Sequence, residues 1–303
     1  MQLNKMGGKE KKNGKRGDVP APPHVEILHE TANCMDFLKG IPDGSVDFIL
    51  IDPPYNLDLE SWDTYGNYME WAAGWIDEAY RVLSPEGNMA VFGGTQFRDA
   101  RGGDLIEIIH YCRHKTKFKL INMIIWHYKN GMSAQRYFAN RHEEIIWLAK
   151  TDRYYFDLDS VRVPYPEKEL ELALKDKRLN PENVRKGKNP TNVWDIGRLN
   201  GNSLERVGHP TQKPLELIIR LVKSLSFPGA VVMDFFAGSG TTGRACIEEG
   251  RNCIMCDSDP KSKEYFTEHI SRMERKGIGF PYVCHKDIEG FFDSIMNGKR
   301  SEP

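Results

Sequence analysis

An apolar run that ends in an acid and two prolines constrains the fold of this 303-residue chain more than any other feature. The run, Val46–Ile51, predicts a buried strand, and Asp52-Pro53-Pro54-Tyr55 follows it directly. Proline lacks an N–H group and fixes its own backbone, so the strand must stop there. In an open parallel sheet, ligands bind at the carboxyl ends of the strands. The pattern therefore predicts an α/β protein with a candidate reaction site at Asp52.

The four residues after this strand offer two hydrogen-bond acceptors and an aromatic face. The prolines leave the Pro53 carbonyl pointing outward beside the Asp52 carboxylate, and the Tyr55 ring can lie over whatever these acceptors hold. Two acceptors and a π-face suit a flat ring that carries an NH2 group. The tetrapeptide alone could also be a plain strand-end turn, but the apolar strand before it and Asn56 after it favour a site.

A second motif, far downstream, has the order strand, glycine-rich turn, helix, strand and acid. Its parts are an apolar strand at 231–234, the turn Phe235-Phe236-Ala237-Gly238-Ser239-Gly240, a helical stretch at 241–249 and a strand at 252–257. Glycines let backbone N–H groups approach a ligand closely at a helix N-terminus. Asp257, at the end of the last strand, could bind ribose hydroxyls. The segment therefore predicts a nucleoside-binding half.

Asp52-Pro53-Pro54-Tyr55 resembles the motif of the amino-methyltransferases that act on nucleic-acid bases. In the beta class of that family, the catalytic motif comes first, the target-recognition region second and the cofactor motif last, which is the order in this chain. The resemblance implies a Rossmann-like α/β methyltransferase fold with a mixed sheet, a circularly permuted motif order and an inserted target-recognition region. It also implies S-adenosyl-L-methionine as the cofactor.

A dinucleotide site is the alternative for the glycine turn, because Gly238-x-Gly240-x-x-Gly243 with Asp257 downstream fits the dinucleotide fingerprint. The fingerprint alone is weak evidence for an NAD-dependent oxidoreductase. Asp234, just before the turn, is typical of S-adenosylmethionine sites in the family that the chain resembles. The sequence also shows no evident hydride-transfer constellation, so methyl transfer is favoured.

Four further segments make the resemblance closer. Residues 131–136, 140–144, 198–206 and 208–214 are similar to the adenine-N6 methyltransferases of GAATTC restriction-modification systems, and the similarity covers roughly residues 30–273. It implies site-specific methylation of double-stranded DNA by base flipping. It also implies a cognate restriction endonuclease in the same system, without a stable complex between the two.

Other substrates remain open. The same pocket shape accepts the amino group of cytosine, so N4-cytosine methylation is an alternative, and the motif alone also fits an RNA or protein-glutamine substrate. A DNA-binding protein without catalysis is disfavoured, because every chemical element is intact. Both a monomer and a homodimer are compatible with the sequence.

The motifs and the resemblance together assign three groups of site residues. The catalytic group is Asp52, Pro53, Pro54 and Tyr55. The cofactor-binding group is Asn33, Cys34, Asp52, His209, Thr211, Lys213, Asp234, Phe236, Ala237, Gly238, Ser239, Gly240, Thr241 and Asp257. The DNA-binding group is Arg136, Arg141, Arg178, Lys186, Arg198 and Arg206, although surface salt bridges fit the first two equally well. No metal site is expected, since the histidines lack partners at metal-ligand spacing.

The residue types suggest how the reaction proceeds. The amino nitrogen of adenine is a poor nucleophile because its lone pair is delocalised into the ring. Hydrogen bonds from the NH2 group to the Asp52 carboxylate and the Pro53 carbonyl would favour a pyramidal nitrogen, so catalysis is mainly positioning and electrostatics. Extruding the base costs a few kcal/mol. Stacking on Tyr55 would return about 1–3 kcal/mol of that cost.

Composition agrees with an enzyme that has one large α/β core and an inserted lobe: 40% of the residues are hydrophobic. The net charge is −1, but basic residues cluster at 1–16 and again at 175–206, where a DNA-reading insertion would lie. No apolar run is long enough to span a bilayer and no secretory signal is evident, which predicts a cytoplasmic protein without membrane contact. Cys253 and Cys256 have no matching second pair, so they are expected in or beside a buried strand.

The predicted organisation has five parts: a basic tail at 1–23, a catalytic half at 24–150, a target-recognition insertion at 151–207, a cofactor-binding half at 208–275 and a C-terminal extension at 276–303. Periodicity predicts an edge strand at 24–28, further strands at 88–93 and 120–128, and helices at 35–39, 68–83, 103–111 and 215–225. Residues 57–65, which are polar and aromatic, are expected to form a mobile lid over the site.

Overall fold

A computed structural model describes residues 22–56, 65–94, 105–131, 133–136 and 138–300. The strands in these residues are β1 (Val25–Thr31), β2 (Val46–Ile51), β3 (Leu83–Gly93), β4 (Lys119–His127), β5 (His142–Ala149), β6 (Val193–Asp195), β7 (Val231–Asp234), β8 (Asn252–Asp257) and β9 (Tyr282–His285). The helices are α1 (Cys34–Gly40), α2 (Tyr68–Val82), α3 (Leu105–Lys115), α4 (Glu167–Lys175), α5 (Pro181–Lys186), α6 (Leu215–Leu225), α7 (Thr241–Glu249), α8 (Lys261–Lys276) and α9 (Ile288–Arg300). The basic segment at 1–16 and all but residue 65 of the expected lid lie outside the described residues.

The described strands form one mixed sheet in the order β6-β4-β5-β3-β2-β7-β8-β1-β9. Strand β5 runs antiparallel to its neighbours β3 and β4, and the other pairings are parallel. Helices α1, α2, α3 and α9 cover one face, and α6, α7 and α8 cover the other. Two apolar layers therefore enclose a mixed sheet, as the resemblance implies.

The pleat of β2 decides which way the catalytic motif faces. Ile49 and Ile51 point into the layer under α2, whereas Phe48 and Leu50 point into the layer under α6 and α7. Successive side chains in a strand alternate between faces. Asp52, the next residue in the Phe48 and Leu50 series, therefore faces the α6 and α7 side, where the glycine turn lies.

The order of the central strands places the site at a topological switch point. The connection from β2 to β3 runs through α2 on one face, and the connection from β7 to β8 runs through α7 on the other. Strands β2 and β7 are neighbours. Crossovers that leave adjacent strands toward opposite faces open a crevice at the carboxyl ends, which is where open α/β sheets bind ligands.

Strong local signals predicted most of the elements around this crevice correctly. The expected strands at 46–51, 231–234 and 252–257 and the helices at 215–225 and 241–249 are confirmed at those bounds. Cys253 and Cys256 both lie buried in β8, as expected. The helix expected at 103–111 is α3, which extends to Lys115, and the strand expected at 88–93 begins earlier, at Leu83.

The prediction that 24–28 forms an edge strand is wrong. Strand β1 has β8 on one side and β9 on the other. The C-terminal extension supplies β9, and α9 packs Phe291, fully buried, into the core. The Glu26 carboxylate of β1 also bonds the Ser294 hydroxyl and the His285 ring, each at 2.6 Å. The extension therefore completes the sheet.

The expected insertion at 151–207 contains α4, α5 and β6. Strand β6 pairs in parallel with β4, so this segment contributes to the sheet at the end opposite β9. Its division from the catalytic half stays a prediction. None of the helices in the described residues has the length and apolar character that a bilayer crossing requires.

We expect Asn88→Ala to lower the free energy of unfolding by about 3 kcal/mol or more, because each buried polar group left unpaired costs about 1–3 kcal/mol. Asn88 is fully buried in β3. Its amide donates to the carbonyls of Tyr155 and Leu225, and its oxygen accepts from the Trp147 indole. Urea unfolding of the variant measures the loss. Asn88→Asp should also destabilise, since a carboxylate cannot donate to the two carbonyls; wild-type stability in both variants would contradict this role.

Candidate active site

A cavity lies at the carboxyl ends of β2, β7 and β8. Of the fourteen predicted cofactor residues, all except Gly240 line it, and so do Asp52 and Pro54 of the catalytic motif. Pro53 and Tyr55 are not among its lining residues. The structure thus brings together side chains that are separated by up to 224 positions in the chain, between Asn33 and Asp257. Their individual roles in binding stay predictions.

Several wall residues were missed from the sequence. They are Leu50, Ile51, Trp71, Phe92, Ile218, Phe235, Thr242, Ser258, Asp259, Ser262 and Tyr265, whereas Tyr65, which also lines the cavity, belongs to the segment expected as a lid. Trp71 stacks on Tyr65 with ring centroids 4.1 Å apart and also contacts Phe236. Trp71 lies in the helix that periodicity predicts at 68–83, and α2 begins beside the cavity, so its first turns supply an aromatic wall. The position of α2 beside the cavity depends on where β2 ends, and helical periodicity gives no information about that.

The backbone amides of the glycine turn are mostly used within the protein. The amide of Phe236 donates to the Asp234 carboxylate, that of Ala237 to the Cys256 carbonyl and that of Gly238 to the Asp257 carboxylate. The amide of Gly240 donates to the Ala237 carbonyl. A pyrophosphate turn would keep such N–H groups for its ligand. These four amides are thus bonded within the protein, which weakens the dinucleotide alternative, and the contacts of the turn with a ligand stay a prediction.

Gly238 is needed for a close approach as well as for its backbone conformation. Its φ is +48°, and a Cβ placed there would lie 3.2 Å from the His209 ring. His209 in turn packs edge-on against Tyr265, with ring centroids 5.7 Å apart. The turn and the 208–214 segment therefore meet at the cavity wall, and a side chain at position 238 would push them apart.

The 208–214 segment is held by its neighbours. The Arg206 guanidinium donates to the carbonyls of His209 and Pro210, at 2.8 and 3.1 Å. Gln212 accepts from the Val207 amide at 2.9 Å. Arg206 was predicted to bind DNA, but in this structure its guanidinium stabilises the loop that carries Lys213. Burial lowers the pKa of His209, so its ring is mainly neutral at pH 7.

Both oxygens of the Asp52 carboxylate have partners in this structure. The Tyr55 hydroxyl donates to Oδ1 at 2.7 Å, and the Lys213 ammonium donates to Oδ2 at 2.5 Å. Burial and the nearby Asp52 carboxylate raise the pKa of Tyr55 well above its usual range, so the hydroxyl stays protonated. Tyr55 was predicted to lie over a ring held by Asp52, and in this structure its hydroxyl is bonded to the Asp52 carboxylate itself.

Asp234 is a buried acid at the end of β7. Its carboxylate accepts from the Thr242 hydroxyl at 2.6 Å and from the Phe236 amide at 3.1 Å. Burial raises its pKa to about 7, against the effect of these hydrogen bonds and together with the charges of Asp257 and Asp52. The acid ties the glycine turn to the first turn of α7.

The raised pKa of Asp234 predicts a pH-dependent stability. Between the usual pKa near 3.8 and the folded pKa near 7, the folded state holds a proton that the unfolded state releases. The stabilising contribution is therefore complete below pH 3.8 and is lost as the pH rises to about 7. The difference in unfolding free energy between wild type and Asp234→Asn should fall by about 1–3 kcal/mol from pH 5 to pH 7. Urea unfolding at both pH values measures this difference, and a constant value would contradict the raised pKa.

Comparison with known proteins identifies the class of enzyme. A family model described as a DNA methylase matches residues 46–268, which include the catalytic motif, the insertion and the glycine turn. This chain belongs to the N6/N4 DNA methylase family. The methylase is 31% identical to the type II methyltransferase M.HpaI of Haemophilus parainfluenzae over 259 residues, which cover 83% of this chain and 76% of that protein. It is 34% identical to the DNA adenine methyltransferase YhdJ of Escherichia coli K12 over 273 residues, covering 84% of this chain and 88% of that protein.

Solved structures agree with the fold of the methylase. The PvuII DNA methyltransferase, described as cytosine-N4-specific, superposes with a TM-score of 0.63 at 17% identity, covering 94% of this chain and 97% of that one. A putative DNA modification methylase of Thermus thermophilus, determined in complex with S-adenosyl-L-methionine, gives a TM-score of 0.57 at 25% identity, covering 87% and 100%. The fold of this chain is thus that of a DNA methyltransferase.

The predicted DNA-binding residues of the methylase have different surroundings. Arg136 and Arg141 lie between β4 and β5, at the same edge of the sheet as the cavity, and Arg136 is exposed. Arg198 lies over the Tyr128 ring at 4.9 Å. In the insertion, Arg178 pairs with Asp176 at 2.7 Å and Lys186 pairs with Asp159 at 2.6 Å. These two cations would exchange a carboxylate for a phosphate on binding, so their contribution to DNA affinity stays a prediction.

Proposed function

We propose that this methylase transfers a methyl group from S-adenosyl-L-methionine to the N6 amino group of adenine in duplex DNA, within GAATTC, after extruding the base. The observation that carries the proposal is the cavity that joins the Asp52 carboxylate to the glycine turn and Asp257. The relative YhdJ, named an adenine methyltransferase, supports adenine because the similarity covers most of both chains. The similarity of residues 131–136, 140–144, 198–206 and 208–214 to GAATTC enzymes supports the site.

The residue types that line the cavity suit S-adenosylmethionine. Four acids, Asp52, Asp234, Asp257 and Asp259, line it together with the aromatic rings of Trp71 and Phe236. Carboxylates and π-faces favour a sulfonium cation, and aromatic walls favour an adenine ring. When bound, the cofactor supplies an electrophilic methyl group. Asp257 is the residue for the ribose, and the close approach at Gly238 shapes the wall around it.

Asp52 binds and orients the substrate. Its carboxylate accepts a hydrogen bond from the target NH2 group, which holds the nitrogen in line for attack and stabilises the positive charge that develops on it. The Pro53 carbonyl is the second acceptor. Tyr55, whose hydroxyl bonds Asp52, is the proposed stacking partner of the flat ring. No covalent intermediate with the protein is required.

Transfer of a labelled methyl group tests the proposal. Labelled S-adenosylmethionine and unmethylated duplexes with and without GAATTC are incubated with the protein, and the nucleosides of the product are analysed. Label in N6-methyladenine on the GAATTC duplex alone is expected. Label on both duplexes would overturn the site, label in N4-methylcytosine would overturn the base, and no label on any duplex would overturn the activity.

A further inference from the structure

Lys213 lies between two carboxylates at the catalytic edge of the sheet. Its Nζ is 2.5 Å from Asp52 Oδ2 and 3.4 Å from Glu143 Oε2. The lysine side chain is only 12% exposed, and its ammonium also lies over the rings of Tyr55 and Phe92, at 5.6 and 5.2 Å. The cation is thus enclosed by two acids and two aromatic faces.

The sheet geometry explains why Glu143 reaches this point. Strand β5 is antiparallel to β3, so its first residues lie at the carboxyl edge, where Glu144 pairs with Gly93. Ile145 and Trp147 point into the layer under α6 and α7. Alternation along the strand puts Glu143 on that same face, which is also the face of Asp52.

Of the two carboxylates beside Lys213, Glu143 has fewer hydrogen bonds. Its Oε2 is buried and makes no hydrogen bond within the described residues, although it lies at ion-pair distance from Lys213. Asp52, by contrast, has both of its oxygens occupied. Buried carboxylate oxygens without hydrogen bonds are unusual and need an explanation.

The substrate amino group and Lys213 compete for the same carboxylate. In the proposed function, a target NH2 group must donate to Asp52, and the ammonium occupies one of its oxygens. Burial favours loss of the proton from Lys213, but the charges of Asp52 and Glu143 outweigh it and raise its pKa, so the side chain stays cationic. Moving this cation away without another anion would leave a buried charge unpaired, which is strongly unfavourable.

We infer that Glu143 is a positioning residue that takes the Lys213 ammonium from Asp52 when the substrate amino group binds. The inference rests on the proposed function and adds a step to it. No bond is made or broken in this step: the ammonium moves between two carboxylates, and the total charge of the three side chains does not change. The freed Asp52 oxygen then accepts the hydrogen bond of the target NH2 group.

Glu144 provides a matched control. It is the next residue of the same strand, it is also a carboxylate, and it faces the opposite side of the sheet. It already has a partner in His142, with His142 Nε2 and Glu144 Oε1 3.1 Å apart. A loss that came only from weakening β5 would appear in both Glu143→Gln and Glu144→Gln.

Steady-state methyl transfer tests the inference. We expect Glu143→Gln to lower kcat by at least about tenfold while the KM for S-adenosylmethionine stays unchanged. Glu143→Asp should recover part of kcat, and Glu144→Gln should keep the wild-type rate. In a Lys213→Met background, Glu143→Gln should have little further effect, because there is no ammonium left to relocate. Thermal melting of each variant shows whether it is folded.

The outcomes separate the inference from the function that it extends. A wild-type protein that methylates DNA, with an unchanged rate in Glu143→Gln, would overturn the inference and leave the proposed function standing. Equal losses in the Glu143 and Glu144 variants, or an undiminished effect of Glu143→Gln in the Lys213→Met background, would also overturn it. A wild-type protein that transfers no methyl group would overturn both.

Discussion

Asp52→Asn is expected to lower kcat for methyl transfer by about 10²–10³-fold, the range seen when one preorganised electrostatic contact is removed from an active site. The variant keeps the shape of the side chain but replaces one acceptor oxygen by an NH2 donor. That donor would face the donating amino group of the substrate, so a stabilising contact becomes a repulsive one. Single-turnover transfer of labelled methyl to duplex DNA measures the chemical step directly.

The control for Asp52→Asn is the same change at Asp36. Asp36 is an exposed acid in α1, does not line the cavity and pairs only with the exposed Lys39 among the contacts described. The methyl-transfer rate of the Asp36→Asn variant should remain within about twofold of wild type, because exposed substitutions usually have small effects. An Asp52→Asn variant that is folded, binds the cofactor and transfers methyl at the wild-type rate would remove Asp52 from the chemistry.

Gly240→Ala is expected to lower the free energy of unfolding by about 2–5 kcal/mol. The φ of Gly240 is +73°, where a non-glycine residue costs about 1–2 kcal/mol. A Cβ there would also lie 2.8 Å from the Phe266 Cβ and 3.2 Å from the Phe266 Cα, so part of α8 would have to move, and overpacking costs about 1–3 kcal/mol. Urea unfolding without cofactor gives the change.

Gly277→Ala separates backbone strain from overpacking. Gly277 ends α8 with a φ of +62°, but a Cβ there would meet no atom of the described residues within 4 Å. This variant should lose only the conformational part, about 1–2 kcal/mol. If the two alanine variants lost the same amount, the contact with Phe266 would not matter. Gly240 does not line the cavity, so the folded Gly240→Ala protein should still bind S-adenosylmethionine.

The elements that the sequence predicted well are those whose ends are marked by residues within the element or next to it. The prolines after Ile51 end β2, and the glycines before Thr241 separate β7 from α7. Both signals act on the residues that carry them, so they can be seen without knowing the partner strands. The same locality explains why the cavity contains nearly all of the predicted cofactor residues.

The parts that the sequence did not predict depend on distant pairing. Strand β5 is defined by hydrogen bonds to β3 and β4, and its orientation alone brings Glu143 to the catalytic edge. Strand β9 lies beyond α8, and nothing local to residues 282–285 indicates that they will cover β1. The pairing of Lys213 with Asp52 joins residues 161 positions apart, so spacing could assign Lys213 to the site but could not supply its partner.

The end of the sheet formed by β1 and β9 is completed late in the chain. The pairing of β9 with β1 places the last strand of the sheet in a segment that is translated after the whole cofactor-binding half. Until that segment arrives, β1 presents a row of open N–H and C=O groups, the kind of template on which strands of other molecules can add. A chain cut before Tyr282 would keep every residue that lines the catalytic cavity, but its edge strand would be the seven-residue β1 instead of the four-residue β9. In this methylase, then, a segment outside the catalytic cavity covers part of the β1 edge, while the residues that line the cavity lie upstream of it.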